Sequence, residues 1–207
     1  MVKIIKHPLV QHKLYLIRDK NTKTKQFRDL IYEISQLIAY EAMSNLKTEL
    51  VKVNTPLATT EVPALVSSEI ALIPILRAGL PMCDAVVNLI PAAKIGHIGI
   101  YRNPETHLPV KYFCRLPNDI AKRDIFLLDP MLATGGSVVA AIDLLKEHGA
   151  KNINLICIIA APEGIAKVKE AHSNVNIYTA SVDEKLDEDE YIIPGLGDAG
   201  DRMFGTM

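Results

Sequence analysis

The chain has 207 residues, 49% of them hydrophobic and 23% charged, with a formal net charge of −1 at pH 7. This length fits one large domain, or one domain with a small appendage, and the near-zero charge argues against a polyanion-binding surface as the main business. With 5% aromatic residues and no Trp, a stacking platform for single-stranded nucleic acid is also disfavoured.

Residues 2–17 mix basic and apolar types, and His7-Pro8 breaks regularity early, so an arm and a short helix are expected. Thr24 is a candidate N-cap for a helix over about 25–43. There Phe27, Leu30, Ile31, Ile34, Leu37 and Ile38 recur at helical spacing. That apolar face must pack on the main sheet or on a neighbouring subunit. Leu50-Val51-Lys52-Val53 reads as a strand. With turn signals at Pro56, Thr59-Thr60 and Pro63, it predicts a peripheral two-stranded ribbon over 48–68.

Ile70-Ala71-Leu72-Ile73-Pro74-Ile75-Leu76 is nearly all apolar, as in a strand covered on both faces. Pro74 predicts a kink or an irregular end. Arg77-Ala78-Gly79 follows, then a helix over 80–88. Residues 93–101 form the next strand, ending at Arg102-Asn103-Pro104, and 109–116 return beside it as a hairpin. Residues 124–129 are a buried strand and 137–148 its helix, with Gly149 suited to the C′ position. Strands over 152–161 and 175–180 flank a helix over 162–171 that opens with proline. This alternation predicts a parallel sheet with right-handed crossovers. From 182 the pattern lapses: an acidic run over 183–190 suggests a solvated flap, and a glycine-rich tail follows. His97 and His148 read as ordinary strand and helix residues.

Cys83, Cys114 and Cys157 are far apart, odd in number and beside apolar runs, which predicts buried free thiols. No long apolar stretch opens the chain, so no signal peptide is expected. No apolar run reaches the roughly 20 residues that span a bilayer. The expectation is a cytoplasmic protein without a membrane partner.

Three constellations carry chemistry. Asp129-Pro130-Met131-Leu132-Ala133-Thr134-Gly135-Gly136-Ser137 places a carboxylate at a strand's C-terminal end, then two glycines and two hydroxyls before a helix. Open α/β sheets bind ligands beyond the carboxyl ends of their strands. Such a loop offers backbone N–H groups and a helix dipole to a phosphate, although a tight turn without a ligand fits the same composition. It is neither a P-loop nor a dinucleotide fingerprint, since Gly-Lys-Ser/Thr and Gly-x-Gly-x-x-Gly are absent. Arg77 and Arg102 end strands at the same sheet edge and suit further phosphates, or cap turns at the surface. The tail around Tyr191-Ile192-Ile193-Pro194-Gly195-Leu196-Gly197-Asp198-Ala199-Gly200-Asp201, anchored again at Phe204, offers bare backbone groups to a small planar ligand such as a pyrimidine. A flexible C-terminus is the plainer alternative.

The first constellation resembles the phosphoribosyl-diphosphate (PRPP) loop of type I phosphoribosyltransferases. Its Asp-Pro, in place of the usual acidic pair, resembles the uracil phosphoribosyltransferase variant. Pro74-Ile75-Leu76-Arg77-Ala78-Gly79-Leu80, Tyr101-Arg102-Asn103 and the tail resemble that family's other motifs, in the same order, and the likeness runs from His7-Pro8-Leu9-Val10 to the C-terminus. The resemblance implies an open, mostly parallel α/β sheet flanked by helices, with a small hood and ribbon. It implies one domain over 1–207: an arm and helix (1–45), ribbon (48–68), core (70–181), then hood and uracil-binding tail (182–207). It implies transfer of the phosphoribosyl group of PRPP to uracil, with Mg²⁺. Ala133, Thr134, Gly135, Gly136 and Ser137 would hold the 5-phosphate, within a loop that includes Pro130, Met131 and Leu132. Asp129 would approach the ribose hydroxyls, and Arg77 and Arg102 the pyrophosphate. Ile192, Gly197 and Ala199 would bind uracil through backbone groups. Asp198 would lie between base and PRPP, as a partner of PRPP or its metal. No general base is identified. A GTP effector and a homodimer or higher homo-oligomer are further implications. Two other readings compete: a regulator of the same fold that binds nucleotide and RNA, and a transferase for hypoxanthine, adenine or orotate.

Overall fold

Apolar runs without polar alternation become the centre of a mostly parallel sheet. The computed structural model describes residues 1–65, 69–102 and 109–206, the Arg102 side chain excepted. In chain order the elements are β1 (Val2–Ile4), α1 (Pro8–Arg18), α2 (Thr24–Ala42), β2 (Thr48–Asn54), β3 (Thr59–Leu65), β4 (Ile70–Leu76) and α3 (Leu80–Val87). Then come β5 (Lys94–Ile95), β6 (His97–Arg102), β7 (Pro109–Arg115), β8 (Asp124–Leu128), β9 (Met131–Leu132), α4 (Gly136–Glu147), β10 (Asn152–Ile156) and β11 (Ile159–Ala160). The chain closes with α5 (Pro162–Ala171), β12 (Asn176–Thr179), β13 (Ser181–Val182), β14 (Lys185–Leu186), β15 (Ile192–Ile193) and α6 (Ala199–Phe204).

The main sheet runs β1-β12-β10-β8-β4-β6-β7, with β5 also paired to β4. All its pairs are parallel except the β6–β7 hairpin. Successive strand residues face opposite layers. Leu72, Phe126, Leu128, Ile156 and Tyr178 pack with α1, α2, α3 and α6, while Ile73, Ile125, Leu127, Leu155 and Ile177 pack with α4 and α5. Burying each large apolar side chain contributes roughly 1.5–3 kcal/mol. The apolar face of α2 is therefore spent within its own chain: Phe27, Ile31, Ile34 and Ile38 are fully buried.

Several expectations are corrected. The strand expected over 152–161 is two strands, β10 and β11. Behind this lies a break shared by three neighbours. Pro130 has no N–H, so β8 cannot simply continue; Ile158 and Ile159 both donate to its carbonyl, and the chain restarts as β9. β10 and β12 break alongside and resume as β11 and β13, giving a small parallel sheet β13-β11-β9 beyond the main one. β4 runs through Pro74 over the expected 70–76, and Pro74 lies where that strand passes from pairing with β5 to pairing with β6. Lys23, not Thr24, is the N-cap of α2, and no side chain caps it. The short edge strand β1 was not foreseen. The ribbon is present as β2 and β3, with Val66, Ser67 and Ser68 outside the described residues. Cys83 and Cys157 are buried, Cys114 is partly exposed, and all three are free.

Candidate active site

The phosphate-loop candidate begins where β8 ends. Asp129 follows Leu128 and its backbone N–H donates to Ile156 O at 3.2 Å. Gly135 is the N-cap of α4 with φ 80°, in the left-handed region that disfavours a side chain. The loop also lies directly on the start of α5. A Cβ on Gly164 would sit 2.2 Å from Ala133 O, and one on Gly135 would sit 2.9 Å from Gly164 O. Gly135 and Gly136 put no Cβ at the start of α4, whose first-turn N–H groups have no partner within the helix. Lys167 of α5 reaches the same place: its Nζ and Thr134 Oγ1 each lie 3.8 Å from where a Gly136 Cβ would be. This lysine has no hydrogen-bond or ion-pair partner among the described residues. Leu132 and Pro130 are buried, so they shape the loop rather than face it.

Burial raises the Asp129 carboxyl to about 7, against a lesser opposing effect of the Met131 N–H it accepts at 3.4 Å. A carboxylate kept this dry gains from any donor or cation that reaches it.

Arg77 emerges beyond the end of β4, after a cis Leu76-Arg77 peptide bond. Gly79 lets the turn close on β8, since a Cβ there would sit 2.4 Å from Leu128 O. The exposed Arg77 guanidinium stands over the Phe204 ring of α6, 5.4 Å from its centre. Arg102 is the last residue of β6, paired with Pro109. Its side chain, and Asn103 and Pro104 of the same motif, lie outside the described residues. Tyr101 and Tyr112 have ring centres 6.1 Å apart. Gly99 makes room for Tyr112, as a Cβ there would sit 2.6 Å from its Cζ. Tyr112 was not singled out from the sequence; only its position opposite the Tyr101 motif could have suggested it.

The tail is more ordered than its composition suggests. β14 and β15 form an antiparallel pair, and a cis Ile193-Pro194 bond leads to Gly195 (φ 62°) and Gly197 (φ 73°). Then comes α6, where the composition predicts loop. Asp198 is its N-cap, with Oδ1 accepting from Asp201 N at 2.8 Å. Ala199 is fully buried and the Ile192 side chain nearly so, which leaves only backbone groups of these two for a ligand. Gly197 is exposed. The acidic run is mostly exposed, but Asp183 is buried and bonded to Arg18, contrary to the solvated reading.

These segments meet in one cleft of about 610 Å³, lined by Arg77, Tyr101, Tyr112, Asp129, Asp198 and Ala199 among others. It opens beyond the carboxyl ends of β4 and β8, where open α/β sheets bind ligands. Arg77 supplies positive charge to this cleft, Ala133 brings the loop after β8 to it, and Asp198, Ala199 and Gly200 bring the tail. Among the described residues no group of three or more His, Cys, Asp and Glu is placed to hold a metal by itself.

This fold and cleft define a type I phosphoribosyltransferase. An adenine phosphoribosyl transferase from Trypanosoma brucei superposes with a TM-score of 0.59 at 12% identity, over 95% of this chain and 88% of its own, which shows the shared fold. The AQ2163 protein of Aquifex aeolicus superposes with a TM-score of 0.95 at 37% identity, over 99% of this chain and 98% of its own. Residues 4–206 match the uracil phosphoribosyltransferase family. The uracil phosphoribosyltransferase of Clostridium beijerinckii is 58% identical over 202 residues, 98% of this chain and 97% of that one. The chain belongs to the uracil phosphoribosyltransferase family.

Proposed function

We infer that the chain transfers the phosphoribosyl group of PRPP to N1 of uracil, giving UMP and pyrophosphate, a pyrimidine-salvage reaction. The observation that carries this reading is the meeting of Arg77, the loop after β8 and the tail from Asp198 in a single cleft. The whole chain acts as one phosphoribosyltransferase domain.

The 5-phosphate sits on the N–H groups from Ala133 to Ser137, with Lys167 adding a cation. Asp129 accepts from the ribose hydroxyls, which compensates the burial of its carboxylate. Arg77, joined by Arg102, holds the pyrophosphate. Peptide groups of Ile192, Gly197 and Ala199 read the pyrimidine edge, and small residues there serve access rather than side-chain chemistry. Asp198 stands between the two substrates.

Breaking the bond from C1 to pyrophosphate builds positive charge on the ribose and negative charge on the leaving group. Fixed arginines at the leaving oxygens stabilise that separation more than the ground state. Holding N1 in line with C1 supplies effective molarity, and attack opposite the leaving group inverts the anomeric centre. Mg²⁺ fits this site as an ion carried mainly by PRPP, because among the described residues the cleft offers Asp129 and Asp198 but no closed ligand set. When bound, it neutralises charge on the pyrophosphate oxygens.

Leu50 and Val53 of β2, Leu57 in the turn that follows and Val62 of β3 are exposed apolar side chains, and they support a homodimer or higher homo-oligomer. No described helix is long and apolar enough to cross a membrane, and the reading places the enzyme in the cytoplasm. Turnover with PRPP and each of uracil, hypoxanthine, adenine and orotate tests the function, with and without GTP as effector. Uracil should be converted at least a hundredfold more efficiently than the others. Equal or better use of a purine would overturn the assignment.

A further inference from the structure

Two arginines outside the cleft hold the backbone that leads into the tail. Arg18 is the last residue of α1. Its Nη1 donates to Asp183 Oδ2 at 2.7 Å and to Gly195 O at 2.6 Å, and its Nη2 to Asp183 Oδ1 at 2.6 Å. The same carboxylate accepts from Ser181 Oγ at 2.7 Å and from Gly195 N at 2.9 Å. The N–H and the C=O of Gly195 are thus both occupied, one by each member of a bidentate pair whose acid side chain is 1% exposed.

The next carbonyl is held by the second arginine. Arg202 Nη1 donates to Leu196 O at 2.7 Å and to Ile17 O at 2.9 Å, and Nη2 to Asp19 O at 2.6 Å. Its guanidinium stacks 4.3 Å from the centre of the Phe27 ring. Gly195 packs tightly here, since a Cβ there would sit 2.0 Å from Ile192 O. The first backbone groups beyond this clamp belong to Gly197, Asp198 and Ala199, and the last two line the cleft. Arg18, Asp183 and Arg202 do not line it.

We propose that Arg18, Asp183 and Arg202 are positioning residues for the nucleobase. They lock the carbonyls of Gly195 and Leu196 to the end of α1, which takes both out of base recognition and fixes the direction of the peptide groups that follow. Nucleobase affinity is therefore set largely from outside the cleft, while PRPP, held by Arg77 and the loop after β8 and touching the tail only through Asp198, depends on the clamp much less. The inference rests on the tail being the uracil site.

The test compares Arg18→Lys, Arg202→Lys and Asp183→Asn with the wild type, measuring kcat, KM for uracil and KM for PRPP, with thermal melts to register folding. Arg18→Lys keeps the charge opposite Asp183 at a position 23% exposed, but a lysine cannot make the bidentate contact and reach Gly195 O together. The expected result is a rise of about tenfold or more in uracil KM, as for loss of a charge-assisted hydrogen bond, with PRPP KM within about twofold. An unchanged uracil KM in a folded variant overturns the inference. So does an equal rise in both KM values, or failure of all three variants to fold, since each marks a general structural role. Wild-type enzyme that does not turn over uracil would sink the functional reading instead, so the two failures are distinguishable.

Discussion

The Arg77 guanidinium lies 5.4 Å from the centre of the Phe204 ring, joining the turn after β4 to the C-terminal helix. One face of the cation rests on the aromatic quadrupole, and its N–H edge is left for an anion. Arg77→Ala should lower kcat/KM by about a hundredfold or more, the scale of losing one preorganised donor at a developing charge. Phe204→Leu keeps apolar bulk and removes only the quadrupole, so the loss should be about two- to fivefold, mostly in KM for PRPP. Steady-state kinetics of both variants check the pair. Unchanged kcat/KM for Arg77→Ala would remove that residue from the site.

Asp198 caps a helix, and substitution can separate that from the role beside PRPP proposed for it. One carboxylate oxygen caps α6 by accepting from Asp201 N. Asparagine caps a helix about as well, whereas alanine costs about 1 kcal/mol. Asp198→Asn should therefore melt like the wild type but lose PRPP affinity and turnover, by about tenfold or more, because the charge is gone. Asp198→Ala should lose stability as well. Normal turnover and PRPP affinity in Asp198→Asn would end its assignment beside PRPP or its metal.

Asp129 makes a signed prediction for pH. Its carboxyl is raised from 3.8 to about 7 by burial. The native state therefore holds a proton that the unfolded chain has released between those values, and stability falls as pH rises through that window. The slope approaches about 1.4 kcal/mol per pH unit and should vanish in Asp129→Asn, as denaturant titrations at pH 5, 6 and 7 would register. Ribose hydroxyls donating to the carboxylate favour its ionised form. PRPP binding at pH 6 should thus release up to one proton in the wild type and fewer in Asp129→Asn. Calorimetry in two buffers of different ionisation enthalpy measures this.

Lys167 should matter to the phosphate and little to the fold. It is exposed and has no partner among the described residues, so Lys167→Ala should leave the melting temperature within about 1 °C, as for a surface change of a few tenths of a kcal/mol. KM for PRPP should rise about three- to tenfold, an effect screened at high salt. No change in that constant at low ionic strength would show that the ammonium does not reach the phosphate.

The reach of the sequence can be judged residue by residue. Strands such as 70–76 and 124–128 were legible because burial on both faces leaves an unbroken apolar run, and the loop after β8 because glycine and hydroxyl residues gather between strand and helix. β1 has only three residues, two of them exposed, and its pairing with β12 bridges the whole chain. No local pattern marks it. α6 was hidden because Gly200 and Asp201 read as loop, while its helix is held by the Asp198 cap and the burial of Met203. The end of the strand near Asp129 is legible, but not the restart after Pro130 as β9, nor the echo of that break in β10 and β12, which carry no proline there. Arg18 and Asp183 stand 165 residues apart. An acidic run looks solvated until the fold brings an arginine to one of its members.

Gly164 shows what the sequence conceals most thoroughly, because nothing in Ala161-Pro162-Glu163-Gly164 points to the phosphate loop. In the fold its Cα lies beneath the carbonyls of that loop, so that a Cβ would come within 2.9 Å of Leu132 O as well as 2.2 Å of Ala133 O. Both atoms are backbone and cannot swing aside as a side chain would. In Gly164→Ala either the loop lifts or α5 retreats. Overpacking of this kind costs about 1–3 kcal/mol, and the N–H groups proposed to hold the 5-phosphate would move with the loop. The expected result is a lower melting temperature together with a PRPP KM raised about tenfold or more, and a uracil KM changed far less. Gly136 is the control, since a Cβ there meets nothing nearer than 3.8 Å. Gly136→Ala should keep the melting temperature and affect PRPP only by standing over the anion site. If Gly164→Ala binds PRPP as the wild type does, the close contact between α5 and the loop does not govern phosphate binding.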